Sequence, residues 1–174
     1  KLLQSYSQGR VIREGLCVAI VGPPNVGKSS LLNSLLGTGR AIVTPVAGTT
    51  RDVVEGDIRL KGVKIRLFDT AGITDTEDKI EKEGIKRSFK ALNEADIILL
   101  VVEKYKDLVK FLKHLKNKAR KDVASKKIIL VKNKIDIFKE KRTVKFPDLI
   151  FSACEISAKN GKGLKTIENL LHPQ

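Results

Sequence analysis

The 174-residue sequence predicts an α/β fold, a three-layer arrangement with a mostly parallel six-stranded sheet, one antiparallel edge strand and helices on both faces. Three observations predict it. Short unbroken apolar runs alternate with stretches of helical period, an order that belongs to parallel sheets covered by helices. One pair of strand-like runs is separated by two residues, which calls for an antiparallel hairpin. A glycine-rich turn joins the first apolar run to the first helical stretch, and ligands in such sheets sit at the carboxyl ends of the strands.

Taken in order, Leu16–Val21 ("LCVAIV") reads as a strand buried on both faces, and Ser29–Leu36 as a helix with leucines at 31, 32, 35 and 36. Val53–Leu60 and Val63–Phe68 are the hairpin, with Lys61 and Gly62 as its turn. Thr76–Asn93 has a helical period, and Ile97–Val102 ("IILLVV") is again a doubly buried strand. In Lys106–Ala119 the residues Leu108, Phe111, Leu112 and Leu115 follow i, i+3, i+4, i+7, one apolar helix stripe. Lys127–Val131 and Leu149–Ala153 are the remaining strands, and Leu164–Leu171 is a closing helix.

Composition narrows the class. A content of 41% hydrophobic and 31% charged residues is that of a globular chain. No apolar run approaches the roughly 18 residues a membrane span needs, so no membrane partner is expected. Cys17 and Cys154 lie inside strand-like runs without metal-ligand spacing. They read as reduced core residues, which argues for a cytoplasmic location. The chain has no Met and begins at Lys1, as expected of a domain from a longer protein, with residues 1–15 leading in and residues 16–174 forming the domain. The net charge of +14 raises the expectation of a nucleic-acid partner. It is concentrated in residues 104–145, which carry 16 Lys/Arg against 4 Asp/Glu. Lys106, Lys110 and Lys113 fall largely off the apolar stripe, as lysines that solvate a helix face do, and aromatics at 5% are sparse for base stacking.

The chemistry lies in four motifs. "GPPNVGKSS" at Gly22–Ser30 fits GxxxxGK[ST] in the strand-to-helix context that this phosphate-binding pattern requires. Its glycines let the backbone of Asn25, Val26, Gly27, Ser29 and Ser30 wrap phosphates at a helix N-terminus, Lys28 reaches the β- and γ-phosphates, and Ser29 ligates Mg²⁺. "DTAG" at Asp69–Gly72 ends a strand. Asp69 would hold the Mg²⁺ through its water, Thr70 and Ala71 line the site, and the Gly72 N–H would meet the γ-phosphate. In "AGTTRD", Ala47–Asp52, Thr50 or its neighbour Thr49 would close onto the metal only when the γ-phosphate is present. "NKID", Asn133, Lys134, Ile135 and Asp136, follows a strand. A carboxylate at Asp136 accepts both the N1–H and the 2-amino protons of guanine, a pair of donors adenine lacks. "ISAK" supplies Ser157, Ala158 and Lys159 behind the base. In this order the motifs specify a P-loop NTPase of the Ras-like kind that hydrolyses GTP to GDP. Yet Ile73 follows DTAG, where Ras-like enzymes keep a water-positioning Gln.

With these motifs, "TPVAGTTRD", "DTAGITDTEDKIEKEGIKRS" and the lead-in "GRVIREGLCVAIVG", the chain resembles the GTPase domain of the MnmE (TrmE) family of tRNA-modification proteins, within the TrmE-Era-EngA-Septin-like group. The IExxGI element after DTAG is the most specific part. The resemblance implies that K⁺ beside the nucleotide does the work of an arginine finger, with ligands falling on Asn25, on the carbonyls of Thr44 and Val46, and on Thr49. It implies that two GTPase domains pair through their switch regions in the GTP state, and that Glu81 then orients the attacking water. It also implies a parent protein that modifies carbon 5 of the wobble uridine of tRNA with an FAD-dependent MnmG-like partner. Pro45 in the cation loop and Thr74, where the family commonly has Arg, depart from the pattern. The alternatives are a ribosome-assembly GTPase of the Der or Era class, which lacks the IExxGI element, and the GTPase domain of a ferrous-iron transporter.

Overall fold

The computed structural model describes residues 14–38, 54–60, 62–69, 92–108, 126–138, 148 and 150–171. Their elements are β1 (Leu16–Val21), α1 (Lys28–Thr38), β2 (Val54–Leu60), β3 (Val63–Asp69), β4 (Ile97–Val102), β5 (Lys127–Lys132), β6 (Ile150–Glu155) and α2 (Leu164–Leu171). The six strands form one sheet in the order β2-β3-β1-β4-β5-β6. β2 pairs with β3 antiparallel, from Val54↔Asp69 to Leu60↔Val63, while every other pair is parallel. The predicted fold class, with its antiparallel edge strand, is the one observed.

The central strands are apolar throughout because both faces are covered. On one face Val18, Ile20, Leu99, Val101, Ile129 and Val131 meet α1 and α2 through Leu31, Leu32, Leu35, Leu164, Ile167 and Leu171. On the other, Ala19, Val21, Ile98, Leu100, Ile128 and Leu130 pack with Leu92, Tyr105 and Leu108. Each fully buried leucine of α1 stabilises the fold by about 1.5–3 kcal/mol relative to exposure, so the helix that opens at the phosphate loop is held firmly to the sheet.

The periphery differs from the sequence expectation. β6 runs to Glu155 instead of ending at Ala153, because its ladder with β5 continues through Val131↔Cys154 and Lys132↔Glu155. As the outermost strand it is not buried on both faces, and Phe151 is 59% exposed, with Lys127 Nζ 4.9 Å from its ring centre. Cys154 is buried, its thiol pushed up to about 12 by desolvation and, secondarily, by the charge of Glu155, so it stays protonated in the core. Cys17 is only half-buried. Among the described residues no helix is long and apolar enough to cross a membrane.

Candidate active site

The strand order makes β1 a switch point, with β3 on one side and β4 on the other, and the crevice at its carboxyl end is where such sheets bind ligands. Gly22 turns the chain out of β1 with φ +155, and a Cβ there would lie 2.1 Å from the Val101 carbonyl oxygen. Asn25 is exposed and left-handed, φ 61. Gly27 has φ +91, and a Cβ would lie 2.5 Å from Asn133 Nδ2; only glycine allows that approach. The Leu31 N–H donates to Gly27 O at 2.9 Å, closing the first turn of α1. Lys28 is 8% exposed, and its ammonium donates to Gly22 O at 3.0 Å and Pro23 O at 2.8 Å. The charge is thus curled over the loop that would cradle phosphates. Val26 is buried in the core, and Ser29 and Ser30 are exposed on the first helical turn.

The base-side motifs are tied to this loop by side chains. The Asn133 amide donates from Nδ2 to Val26 O at 2.9 Å and accepts from the Ala158 N–H at 3.0 Å through Oδ1. It therefore clasps the phosphate loop and the "ISAK" loop with one buried group. Ala158 is approached from its other side as well, since the Ser34 hydroxyl of α1 lies 2.7 Å from Ala158 O and 2.8 Å from Ser30 O and shares its one proton between them. Lys134 donates to Asn25 O at 2.6 Å and pairs with Glu103 at the end of β4. Asp136 is exposed, and its carboxyl is held below the ordinary value. The Ser157 hydroxyl is the main cause; desolvation, the next largest, opposes it, and a backbone N–H and the charges of Lys159 and Lys134 add smaller lowering effects. A carboxylate anionic across the whole neutral range, beside a backbone loop and two lysines, is suited to bind paired N–H donors on a base edge.

The geometry brings together Asn25, Val26, Gly27, Lys28, Ser29, Ser30, Asn133, Lys134, Asp136, Ser157, Ala158 and Lys159. Asp69 is the last residue of β3, and its backbone is the register partner of Ile20, two residues before the phosphate loop. The Ser29 hydroxyl at the start of α1 is a hard oxygen donor of the kind Mg²⁺ takes. Asn25, with an amide oxygen at the loop's exposed position, is equally compatible with K⁺. Thr44, Val46, Thr49, Thr50, Thr70, Ala71, Gly72 and Glu81 lie outside the described residues.

Sequence reasoning missed Glu103, Ser34 and a third feature beneath the base loops. There, Lys132, 1% exposed, lies 4.9 Å from the Tyr105 ring centre and 3.7 Å from Glu155 Oε1, which also accepts from the Tyr105 hydroxyl at 2.7 Å. The only signals were position: Glu103 is the first charge after an apolar strand, and Lys132 immediately precedes "NKID".

The sequence profile of the family described as 50S ribosome-binding GTPase matches residues 17–134. The tRNA modification GTPase MnmE of Acetivibrio thermocellus is 39% identical over 172 residues, 98% of this chain and 37% of that protein. Its counterpart in Listeria welshimeri is 57% identical over 108 residues, 62% of this chain and 24% of that protein. The matched part of the chain thus spans 37% of the first relative's length and 24% of the second's. Among solved structures, Era of Aquifex aeolicus bound to GDP and AlF4⁻ superposes with a TM-score of 0.65 at 32% identity, covering 90% of this chain and 56% of that one. The G domain of the T. maritima FeoB iron transporter gives 0.62 at 28% identity, covering 90% and 96%. The profile match covers more than half of the chain, and the chain belongs to this GTPase family as a GTP-hydrolysing domain of the MnmE type.

Proposed function

We propose that the chain is the K⁺-stimulated, dimerisation-dependent GTPase domain of a protein that modifies carbon 5 of the wobble uridine of tRNA. The observation that carries the cation part is Asn25: exposed, left-handed, and with its carbonyl anchored by Lys134, it presents an amide at the mouth of the phosphate loop. Relatives named for tRNA modification match almost the whole chain, which supports the role of the parent protein. On this reading residues 16–174 are the GTPase domain and residues 1–15 lead into it, and the parent acts in the cytoplasm on tRNA with an MnmG-like FAD protein.

The residues divide the chemistry as follows. Asp136 accepts the guanine N1–H and 2-amino protons, while Ser157, Ala158 and Lys159 close behind the ring. Asn25 through Ser30 bind the phosphates with backbone N–H groups, and the Lys28 ammonium passes from the Gly22 and Pro23 carbonyls towards β- and γ-phosphate oxygens. Thr70, Ala71 and Gly72 follow Asp69 at the γ-phosphate. Glu81, brought in when two domains pair across their switch regions, orients the water that attacks in line. Mg²⁺, held by Ser29, Thr50 and Asp69, would neutralise β- and γ-phosphate charge, and K⁺, held by Asn25, Thr44, Val46 and Thr49, would do so at the bridging oxygen, a role for which an arginine finger gives about 10³–10⁵ in rate. MgGDPNP in a solved Era structure supports the divalent ion.

The family's description and the Era neighbours favour a second reading, a ribosome-assembly GTPase of the Der or Era class. The "IEKEGI" element argues for the first. The deciding experiment is GTP turnover at matched ionic strength in KCl and NaCl, over a range of protein concentration, for wild type and Glu81→Ala. Turnover that rises with protein concentration in KCl only, and collapses in Glu81→Ala, is expected. Turnover indifferent to the cation and to Glu81 would remove the cation-finger mechanism.

A further inference from the structure

We propose that Glu103 is a positioning residue that, through Lys134, locks the phosphate loop to the base-recognition loop, so that base and phosphates are held or released together. Glu103 touches neither end of the nucleotide in the reading above. Its carboxylate pairs with the Lys134 ammonium, which at the same time donates to Asn25 O at 2.6 Å. Lys134 itself is left-handed, φ 62, so its side chain leaves the base motif in a direction that an ordinary strand residue would not take.

Several features make this more than a surface ion pair. The two side chains are 31% and 23% exposed, so water screens them only in part. Glu103 stands at the end of β4, where the preceding Val102 carbonyl accepts the Asn133 N–H at 2.8 Å. The carboxylate is therefore carried by the same stretch of backbone that holds the base motif in place. The Asn25 carbonyl belongs to the one loop residue that needs a left-handed backbone without being glycine, a conformation that persists only when its surroundings over-determine it. Remove the carboxylate, and Lys134 loses the anion that directs it there. The ammonium is then free to swing to solvent, and the loop loses its external tie at Asn25 while Asn133 still holds Val26. The inference rests on the reading of Asn133–Asp136 as the base clamp and of Asn25–Ser30 as the phosphate cradle.

The test is the release rate of a fluorescent GDP analogue from wild type, Glu103→Gln, Lys134→Met and the double variant, all in the same buffer. Charge-assisted bonds of partly exposed pairs contribute enough for a change of roughly three- to tenfold. Faster release by that factor in Glu103→Gln is expected, with no further acceleration when the change is added to Lys134→Met, because the carboxylate acts through the ammonium. Release at the wild-type rate overturns the proposal. Equal acceleration in both backgrounds overturns it too, since it would show a general loosening of the end of β4. A melting temperature of the nucleotide-free protein lowered without a change in release would make the pair purely structural. A K⁺ titration of turnover on the same proteins separates the two readings: a wild type indifferent to K⁺ sinks the cation mechanism while the release rates still decide the role of Glu103.

Discussion

Asn133 Nδ2 donates to the Val26 carbonyl at 2.9 Å across 107 residues of sequence, so the loop that grips phosphates and the loop that selects the base share one buried amide. The close approach depends on Gly27, whose Cα faces that amide. A methyl group there has nowhere to go. Gly27→Ala must place a Cβ 2.5 Å from Asn133 Nδ2 on a backbone of φ +91, which L residues rarely adopt. The expected outcome is a loss of GDP affinity of at least tenfold and a loss of stability of about 1–3 kcal/mol, read by calorimetric titration and urea unfolding. Unchanged affinity would show that the staple does not govern nucleotide binding.

Ser34 extends the same logic to α1. Its one hydroxyl proton is shared between Ala158 O at 2.7 Å and Ser30 O at 2.8 Å, while Asn133 accepts the Ala158 N–H, so the peptide behind the base is approached from both sides. Ser34→Ala leaves the helix intact, since alanine is the better helix former, but releases that carbonyl. A net hydrogen bond contributes about 1 kcal/mol, so GDP affinity is expected to fall by about fivefold with little change in the far-ultraviolet circular dichroism. An unaltered affinity would confine Ser34 to helix packing.

The buried lysine beneath these loops makes a different kind of prediction. Lys132 and the Tyr105 hydroxyl converge on the same Glu155 oxygen, at 3.7 Å and 2.7 Å. Tyr105→Phe is expected to cost about 1 kcal/mol. Glu155→Ala is expected to cost about 1–2 kcal/mol, because the ammonium it leaves is almost wholly out of water while the carboxylate itself is 45% exposed. Since both changes act on one oxygen, the double variant should cost less than the two together. Strict additivity in urea unfolding would show that the three groups do not form a unit.

How much of this was legible depends on the range over which each signal acts. Leu16–Val21 and Ile97–Val102 announced themselves as doubly buried strands because burial on two faces leaves an unbroken apolar run. The two-residue Lys61–Gly62 turn fixed β2 and β3 as antiparallel. The phosphate loop was legible because its chemistry fixes glycines at set intervals. Glu103, Ser34 and Lys132 were not, because nothing in a local pattern says which charge meets which carbonyl across a sheet. The end of β6 was not legible either, because it is decided by pairing with Lys132 of β5, and a mixed sequence such as "SACE" carries no period of its own.

Asp136 supplies the pH prediction. Its carboxyl is held below the usual 3.8, first by the Ser157 hydroxyl and then by a backbone N–H and the charges of Lys159 and Lys134. A depressed carboxyl is fully ionised above its unfolded value, and its contribution is lost only as pH falls through the lower folded value. GDP affinity should therefore be flat from about pH 8 down to about pH 5 as far as this group is concerned, and weaken only under stronger acid. Ser157→Ala deletes the largest lowering cause, so the acid limb of GDP binding should move to higher pH. Lys159→Met, which deletes a smaller one, should move it less. Titrating GDP into each protein from neutral pH into the acid region below about pH 5, with circular dichroism to confirm that the fold persists, measures the limb of each variant. If the limb in Ser157→Ala coincided with that of the wild type, the hydroxyl would not be what holds the Asp136 carboxyl down, and that role would fall to the backbone N–H and the charges of Lys159 and Lys134.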